Sequence, residues 1–436
     1  MDKESLKREA VAAIDRRAGE IIELGETIFA EPELGYKETK TAARVEEKFG
    51  ELGIKYRSGL AVTGIRGDLP GRQSGLRVAV MGELDAVVCH DHPSADPQTG
   101  AAHACGHNAQ IAAMVGVAMG LVDAGIMEHL DGDVALFALP AEEYVEIEFR
   151  QKLRREGTID FLGGKQELIR LGEFDDIDLA MMIHSEPNLP ERKARVGGTS
   201  NGFMGKGIQY VGREAHAGGA PHEGINALSA AVLGLVGIAL NRETFRDEDS
   251  IRIHPIITKG GDLVNIIPAD VRIETYVRGR SMEAIIEASK KANNALRGGA
   301  MAIGAEVKID EIPGYLPLLQ NEELSNLFGE NIASLIGRGN VLPGGHMAGS
   351  TDMGDITHLM PGIHPSIGGM VGRAHARDYK MVDPEMAYVI PAKAMAMTVI
   401  DLLYDNGKGG KNIKQKYPAK MSKADYLKMW EDLLKS

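Results

Sequence analysis

Apolar residues recur at helical spacing from about residue 3 to residue 30. Ala10, Ile14, Ile21, Ile22 and Leu24 fall on one side and charged residues on the other, which predicts an amphipathic helical stretch. Thr39 to Leu52 predicts a second helix. The spacing then changes to short apolar runs, Leu76 to Met81, Val134 to Leu139 and Leu179 to Ile183. Runs of this length fit buried, parallel strands. A helical stretch, Ala109 to Ala124, lies between the first two. Alternation of strand and helix predicts an α/β domain, a mixed and mostly parallel sheet sandwiched by helices.

The pattern shifts again near residue 200. Gly207 to Gly212 predicts a strand, Asn226 to Asn241 a helix, Ser250 to Lys259 a strand, and Asp270 to Arg278 a strand with alternating polarity. Ser281 to Ile303 follows as a helix and Val307 to Ile312 as a strand. That β-α-β-β-α-β order is the plan of a small ferredoxin-like α+β unit, placed here as an insertion over 198–314. The α/β domain then comprises 1–197 and 315–436. It resumes with the helix Glu322 to Gly337 and includes the helix Ala387 to Tyr404. The tail from about Asn406 reads either as a mobile extension or as a docked helix. The longest apolar stretch, Ala227 to Leu240, is short for a bilayer span and contains glycine, so it is expected to be a buried helix.

Composition narrows the function classes. The chain has 436 residues, 44% of them hydrophobic and 25% charged, which is enough for two domains with a sizeable core. A formal net charge of −13 argues against nucleic acid or an anionic membrane as the main partner. It leaves a small anionic substrate open. Only two cysteines occur, Cys89 and Cys105, too few for a disulfide framework. The first residues are polar and lack the apolar core of a signal peptide. A cytoplasmic location is the expectation.

Candidate chemistry gathers in four segments. His103-Ala104-Cys105-Gly106-His107-Asn108 follows a polar loop and precedes a predicted helix. A thiolate and an imidazole two residues apart both suit a borderline metal such as zinc or manganese. A buried cysteine beside a hydrogen-bonded histidine would read the same way. Pro140-Ala141-Glu142-Glu143 follows the strand Val134 to Leu139, where ligands of open α/β sheets belong. One carboxylate there could bind metal while the other moves a proton, although a solvated acidic loop is the bland alternative. His184 ends the third apolar run, and His375 lies in the polar loop Gly372 to Asp378. Each is weak alone. Together they offer sulfur, imidazole and carboxylate at several strand ends.

These segments resemble the metal-site motifs of the aminoacylase/carboxypeptidase metallopeptidase family. The nearer likeness is its amidohydrolase branch of hippurate, indoleacetyl-amino-acid and aminobenzoyl-glutamate hydrolases. Gly212-Arg213-Glu214-Ala215-His216-Ala217, with Pro221 and Gly224 to Leu228, resembles the family's lid signature. Asn265-Ile266-Ile267-Pro268 with Arg278 resembles a second lid motif, and Gly349 to Asp355 a variant near the aminobenzoyl-glutamate group. The resemblance spans about residues 20 to 404. It implies a zinc-exopeptidase-like catalytic domain with an inserted lid and dimerisation domain, and a homodimer through that lid. It also implies two divalent ions, manganese or zinc, held by Cys105, His107, Glu143, His184 and His375, with Cys105 a bridge. Glu142 would be the general base and then the acid. His216 would touch substrate or the developing oxyanion together with Asn265, and Arg278 would pair with a substrate carboxylate.

Two departures from the family pattern stand out. Glu83-Leu84-Asp85 replaces the wider family's His-x-Asp, removing one histidine ligand, which agrees with Cys105 taking its place. Asp85 is then expected to orient ligands rather than bind metal. Asn108 and Gln110 stand where many branch members have Asp and His, a leaning toward the aminobenzoyl-glutamate group.

The expected function is hydrolysis, by a metal-activated water, of the amide bond in an N-acyl or aminobenzoyl amino acid or a dipeptide-like molecule. The alternatives are a metal-independent cysteine hydrolase using Cys105, which leaves Glu142, Glu143 and His375 without roles, and an inactive binding or scaffold protein. Met395-Ala396-Met397 is read as helix core. His90, His92, His346, His358 and His364 are read as structural or peripheral.

Overall fold

The three apolar runs become neighbours in one sheet. The computed structural model describes residues 1–187, 189 and 192–434. Gln73–Glu83 pairs in parallel with Asp131–Leu139 on one side and with Leu179–Met181 on the other, and Gly362–Ile363 extends the parallel set. An antiparallel hairpin, Lys55–Leu60 and Gly64–Leu69, completes the six-stranded sheet beside Asp131–Leu139. The sheet is thus mixed and mostly parallel, as expected. The hairpin was not foreseen because Lys55–Leu60 is exposed along nearly its whole length, while the buried Gly64–Leu69 mixes two glycines and two charged residues with its apolar ones. A strand with no buried face shows no alternation to read.

Helices cover this sheet. Lys3–Arg16 and Ala18–Ala30 form two helices where one stretch was expected, and Thr39–Glu51 follows. His107–Asp123 is buried almost all round, as a helix that is apolar on every side must be. It packs against both N-terminal helices and the helix Ile390–Lys416. The stretch Glu385–Lys416 is long and apolar enough to cross a membrane by length and composition, but its apolar window is entirely buried within the protein. A kink at Tyr404–Gly407 breaks this stretch. The tail is therefore helical on both sides of residue 420: a last helix, Lys423–Leu434, buries Tyr426 and Trp430.

The chain divides into two compact units. The first comprises Met1–Gly198, Leu319–Gly345 and Asp355–Lys423. The second comprises Thr199–Leu318, His346–Gly354 and Ala424–Ser436. This differs from the expected 198–314 insertion, because His346–Gly354 and the C-terminal residues join the second unit. His346 explains the first of these. Its Nδ1 lies 2.9 Å from Thr199 Oγ1 and its Nε2 lies 3.0 Å from Asn201 Oδ1, while His346–Met347 pairs with Thr199–Ser200.

The second unit is an antiparallel sheet with two helices, Ala227–Leu240 and Met282–Ile303, packed on each other. Gly202–Val211 sits between Asp270–Gly279 and Glu306–Ile312, and Asp270–Gly279 pairs outward with Arg252–Ile253 and Ile256–Lys259. Taken in chain order, the strands lie 2-3-1-4 across the sheet. The expected single strand over 250–259 is split at His254-Pro255, where proline lacks an N–H for the ladder. The helix Ala227–Leu240 is not buried as expected. Ala227, Ala230, Ala231, Gly234 and Ile238 face the sheet and its partner helix. Val232, Leu233, Val236 and Leu240 are exposed by 46, 43, 48 and 74%. The sequence is apolar on both faces, and among the described residues only one face is covered.

Candidate metal centre

Strand ends and one helix start bring the candidates together in the first unit. Glu83 closes its strand and Asp85 follows two residues later. Glu142 and Glu143 follow the strand Asp131–Leu139, and His184 lies just beyond Leu179–Met181. Cys105 precedes the helix His107–Asp123, whose N-cap Gly106 has a φ of 83°. A side chain at Gly106 would strike the hydroxyls of Tyr379 and Ser185, so only glycine makes this turn. His375 arrives from its loop with a φ of 59° and donates its backbone N–H to Ala104 O at 2.8 Å.

Two ligand sets result, both containing Cys105. Cys105, His107 and His184 form one, and Cys105, Glu143 and His375 the other. Within each set the ligand atoms lie within 4.8 Å of one another. Cys105 Sγ is 3.6 Å from His184 Nε2, and His375 Nε2 is 3.1 Å from Glu143 Oε1. All five residues expected to bind metal thus converge. A third set, Glu83, His107 and Glu142, adjoins them. Glu142 Oε2 lies 3.8 Å from His107 Nε2.

A second layer holds these groups. Asp85 is fully buried; its carbonyl oxygen accepts from His107 Nδ1 at 2.8 Å, and its Oδ2 accepts from Glu143 N at 2.8 Å. His184 Nδ1 donates to Ser185 O at 2.7 Å, and Tyr379 donates to Ser185 Oγ at 2.9 Å. The buried Arg150 guanidinium donates to the carbonyls of Leu162 and Glu143, bracing the loop that carries Glu142. Both histidines therefore turn Nδ1 outward to a carbonyl and leave Nε2 for the centre, the usual arrangement of ligating histidines.

Charge follows the same geometry. Burial and the Glu143 carboxylate act to raise the Cys105 thiol, but the imidazoles of His107 and His184 outweigh them and bring it to about 6. Burial opposes ionisation of Glu143, yet His375 draws it down to about 2. The Glu143 carboxylate in turn lifts His375 to about 11. A thiolate, a carboxylate and crowded imidazoles in a buried space suit a borderline divalent cation. His107 Nε2 adds to the fit, being a buried atom that faces the carboxylates of Glu83 at 3.0 Å and Glu142 at 3.8 Å.

The lid candidates all belong to the second unit. His216 is exposed, and its Nδ1 accepts from Gly218 N at 3.1 Å and Gly219 N at 2.9 Å. A neutral ring so held carries its proton on Nε2. Asn265 is nearby, since its carbonyl accepts Ala217 N at 2.9 Å and His216 bridges Ile266. Arg278 reaches Ser350 Oγ at 2.9 Å and lies over the rings of Phe203 and Tyr276.

The sequence pattern marked Glu83 and Gln110 only as departures from the family and gave neither a role, and it did not mark Lys165. Glu83 was legible as an acidic residue at the end of an apolar strand. Lys165 carried no signal, because nothing in a surface-like Gly-Gly-Lys-Gln segment says that the lysine is fully buried.

Comparison with known proteins agrees with this picture. The model of Peptidase family M20/M25/M40 matches residues 79–400, a span holding every ligand candidate. The chain is 30% identical to the Xaa-Arg dipeptidase of Mus musculus, over 92% of this chain and 90% of that protein. Its fold is similar to an aminobenzoyl-glutamate utilization protein from Klebsiella pneumoniae, with TM-score 0.69 and 17% identity over 90% of this chain and 98% of that one. It is also similar to a dinuclear metal-binding M20 peptidase from Bacillus subtilis, with TM-score 0.65 and 20% identity over 89% and 99%.

Proposed function

The chain belongs to peptidase family M20/M25/M40, metallohydrolases of amide and peptide bonds, and on that footing we propose that it cleaves the amide bond of an N-acyl amino acid, an aminobenzoyl amino acid or a dipeptide-like substrate. One observation carries the reading: two ligand sets share Cys105, with Glu142 beside them. Cys105, His107 and His184 would hold one divalent ion and Cys105, Glu143 and His375 the other, manganese or zinc.

When bound, such ions polarise an amide carbonyl and make water acidic enough to ionise near neutral pH. The chain's own groups do the rest. Glu142 takes the proton of the attacking water and hands it to the leaving nitrogen, which could not depart as an anion. Asp85 orients His107 and the backbone of Glu143. In the second unit, His216 offers an exposed Nε2–H to an oxyanion, with Asn265 beside it. The planar guanidinium of Arg278 suits a substrate carboxylate, which it would grip with two hydrogen bonds.

The same reading includes a homodimer through the second unit. The exposed stripe Val232, Leu233, Val236 and Leu240 and the exposed edge residues Ile256 and Ile257 support it, because apolar patches of this kind mark association surfaces. A cytoplasmic location is part of the proposal, supported by the two free cysteines.

The test is hydrolysis by purified protein, loaded with manganese or zinc, of a panel of N-acyl amino acids, aminobenzoyl-glutamate and dipeptides. Dipeptides ending in arginine belong in it, given the relative's name. Turnover that a chelator abolishes and metal restores is expected. Metal-loaded protein that hydrolyses none of the panel, or turnover indifferent to chelation, overturns the proposal.

A further inference from the structure

Glu83 stands at the edge of the ligand sets and has no part in the proposed function. It is 1% exposed and its carboxylate is held at both oxygens. Lys165 Nζ, itself fully buried, donates to Oε1 at 2.5 Å, and Gln110 Nε2 donates to Oε2 at 2.9 Å. Gln110 also accepts the backbone N–H of Glu83 at 3.0 Å, so its amide cannot turn over without losing both bonds. An ion pair buried this deeply is a poor device for stability, because desolvating both charges offsets much of their attraction. Its position suggests what it does instead.

Oε2 of Glu83 is 3.0 Å from His107 Nε2. His107 commits its Nδ1 proton to the Asp85 carbonyl. Without metal, a proton on Nε2 answers the Glu83 carboxylate 3.0 Å away. A ligating imidazole gives that proton up, and a cation set against Nε2 then meets Oε2 of Glu83 as well. Nitrogen and oxygen ligands about 2.1 Å from a cation stand about 3.4 Å apart at a tetrahedral angle and about 3.0 Å apart at a right angle, so the observed separation suits right-angled, octahedral coordination. The Gln110 bond leaves Oε2 a free lone pair.

We propose that Glu83 is a further ligand, through Oε2, of the cation that His107 holds, and that Lys165 and Gln110 are positioning residues. Lys165 occupies Oε1, which keeps Glu83 monodentate, and cancels its charge, so the ligand adds an oxygen donor without adding net charge. A hard oxygen beside the Cys105, His107 and His184 donors favours manganese over zinc at that position. This rests on the two-ion reading of the site.

The experiment measures metal, not turnover. Full-length protein is stripped, reloaded with manganese, zinc or cobalt, and assayed for metal per chain and for affinity against a competing chelator. Wild type, Lys165→Met and the double variant Glu83→Gln/Lys165→Met are compared. The double variant removes both charges of the Glu83–Lys165 pair together. Wild type is expected to bind two equivalents. Lys165→Met should keep both, with affinity lowered less than tenfold. The double variant should bind one equivalent at least tenfold more weakly, with a changed cobalt absorption spectrum. Glu83→Asp keeps the ion pair but withdraws the carboxylate by about one C–C bond, about 1.5 Å. It should weaken the same equivalent and serves if the double variant does not fold. Wild-type affinity and spectrum in the Glu83 variants, beside a wild type that binds two ions, overturn this inference alone. A wild type that binds no metal overturns the two-ion reading and this inference with it.

Discussion

Asp85 Oδ2 accepts the backbone N–H of Glu143 at 2.8 Å. That bond joins the end of one parallel strand to the loop after its neighbour. Through its own carbonyl, Asp85 also fixes His107. One fully buried residue thus sets the register between a ligand from each of the two sets. Asp85→Asn would keep the shape but place an amide donor where carboxylate oxygens face donors. Metal affinity should fall about 10- to 100-fold, read by chelator competition. An unchanged affinity would show that Asp85 orients nothing.

Glu142→Gln tests proton transfer separately from metal binding. The amide keeps the size of the side chain and cannot take a proton. A loss of about 10²- to 10⁴-fold in kcat is expected, with two metal equivalents retained and KM nearly unchanged. Turnover within a few fold of wild type would remove Glu142 from the mechanism.

Metal loading should release protons. Without metal, His375 is lifted to about 11 by Glu143 and carries a proton at neutral pH. A ligating imidazole must lose it, so affinity should rise with pH through the neutral range. Cys105, brought to about 6, is already a thiolate at pH 7 and adds a proton to be displaced only below that value. The dependence should therefore steepen as pH falls through 6. Calorimetry of metal binding in buffers of different ionisation enthalpy checks this; heats independent of the buffer would contradict it.

Trp430 is the single tryptophan and is fully buried by the last helix, Lys423–Leu434. Trp430→Ala should destabilise by about 3–5 kcal/mol, seen as a lowered denaturant midpoint by circular dichroism. In the wild type, tryptophan fluorescence should be blue-shifted when folded and shift red on unfolding. A tail that frays freely would show solvent-exposed emission from the start.

Val236→Glu places a charge in the exposed stripe of the helix Ala227–Leu240. If that stripe is the contact between two copies, the variant should run as a monomer in light scattering while its metal content stays the same. A wild type that is itself monomeric at micromolar concentration would rule out the dimer.

The sequence alone determined the element types where burial leaves a local mark. The apolar runs of the parallel strands and the helix from His107 show it by continuous apolarity, being buried on every side, and the β-α-β-β-α-β order shows it by faces that repeat at 2 or 3.6 residues. It also marked Cys105, His107, Glu142, Glu143, His184 and His375, since sulfur, imidazole and paired carboxylate at strand ends are unusual company. Only the tertiary structure decided the hairpin at 55–69, whose first strand is exposed and whose second, Gly64–Leu69, is buried although it carries two glycines, Arg66 and Asp68 in place of an apolar run. It alone decided that, among the described residues, only one face of the helix Ala227–Leu240 is covered. It alone paired Glu83 with Lys165 across 82 positions of chain. A contact between segments remote in the chain depends on how the sheet brings them side by side, and no local pattern of residues encodes that distance.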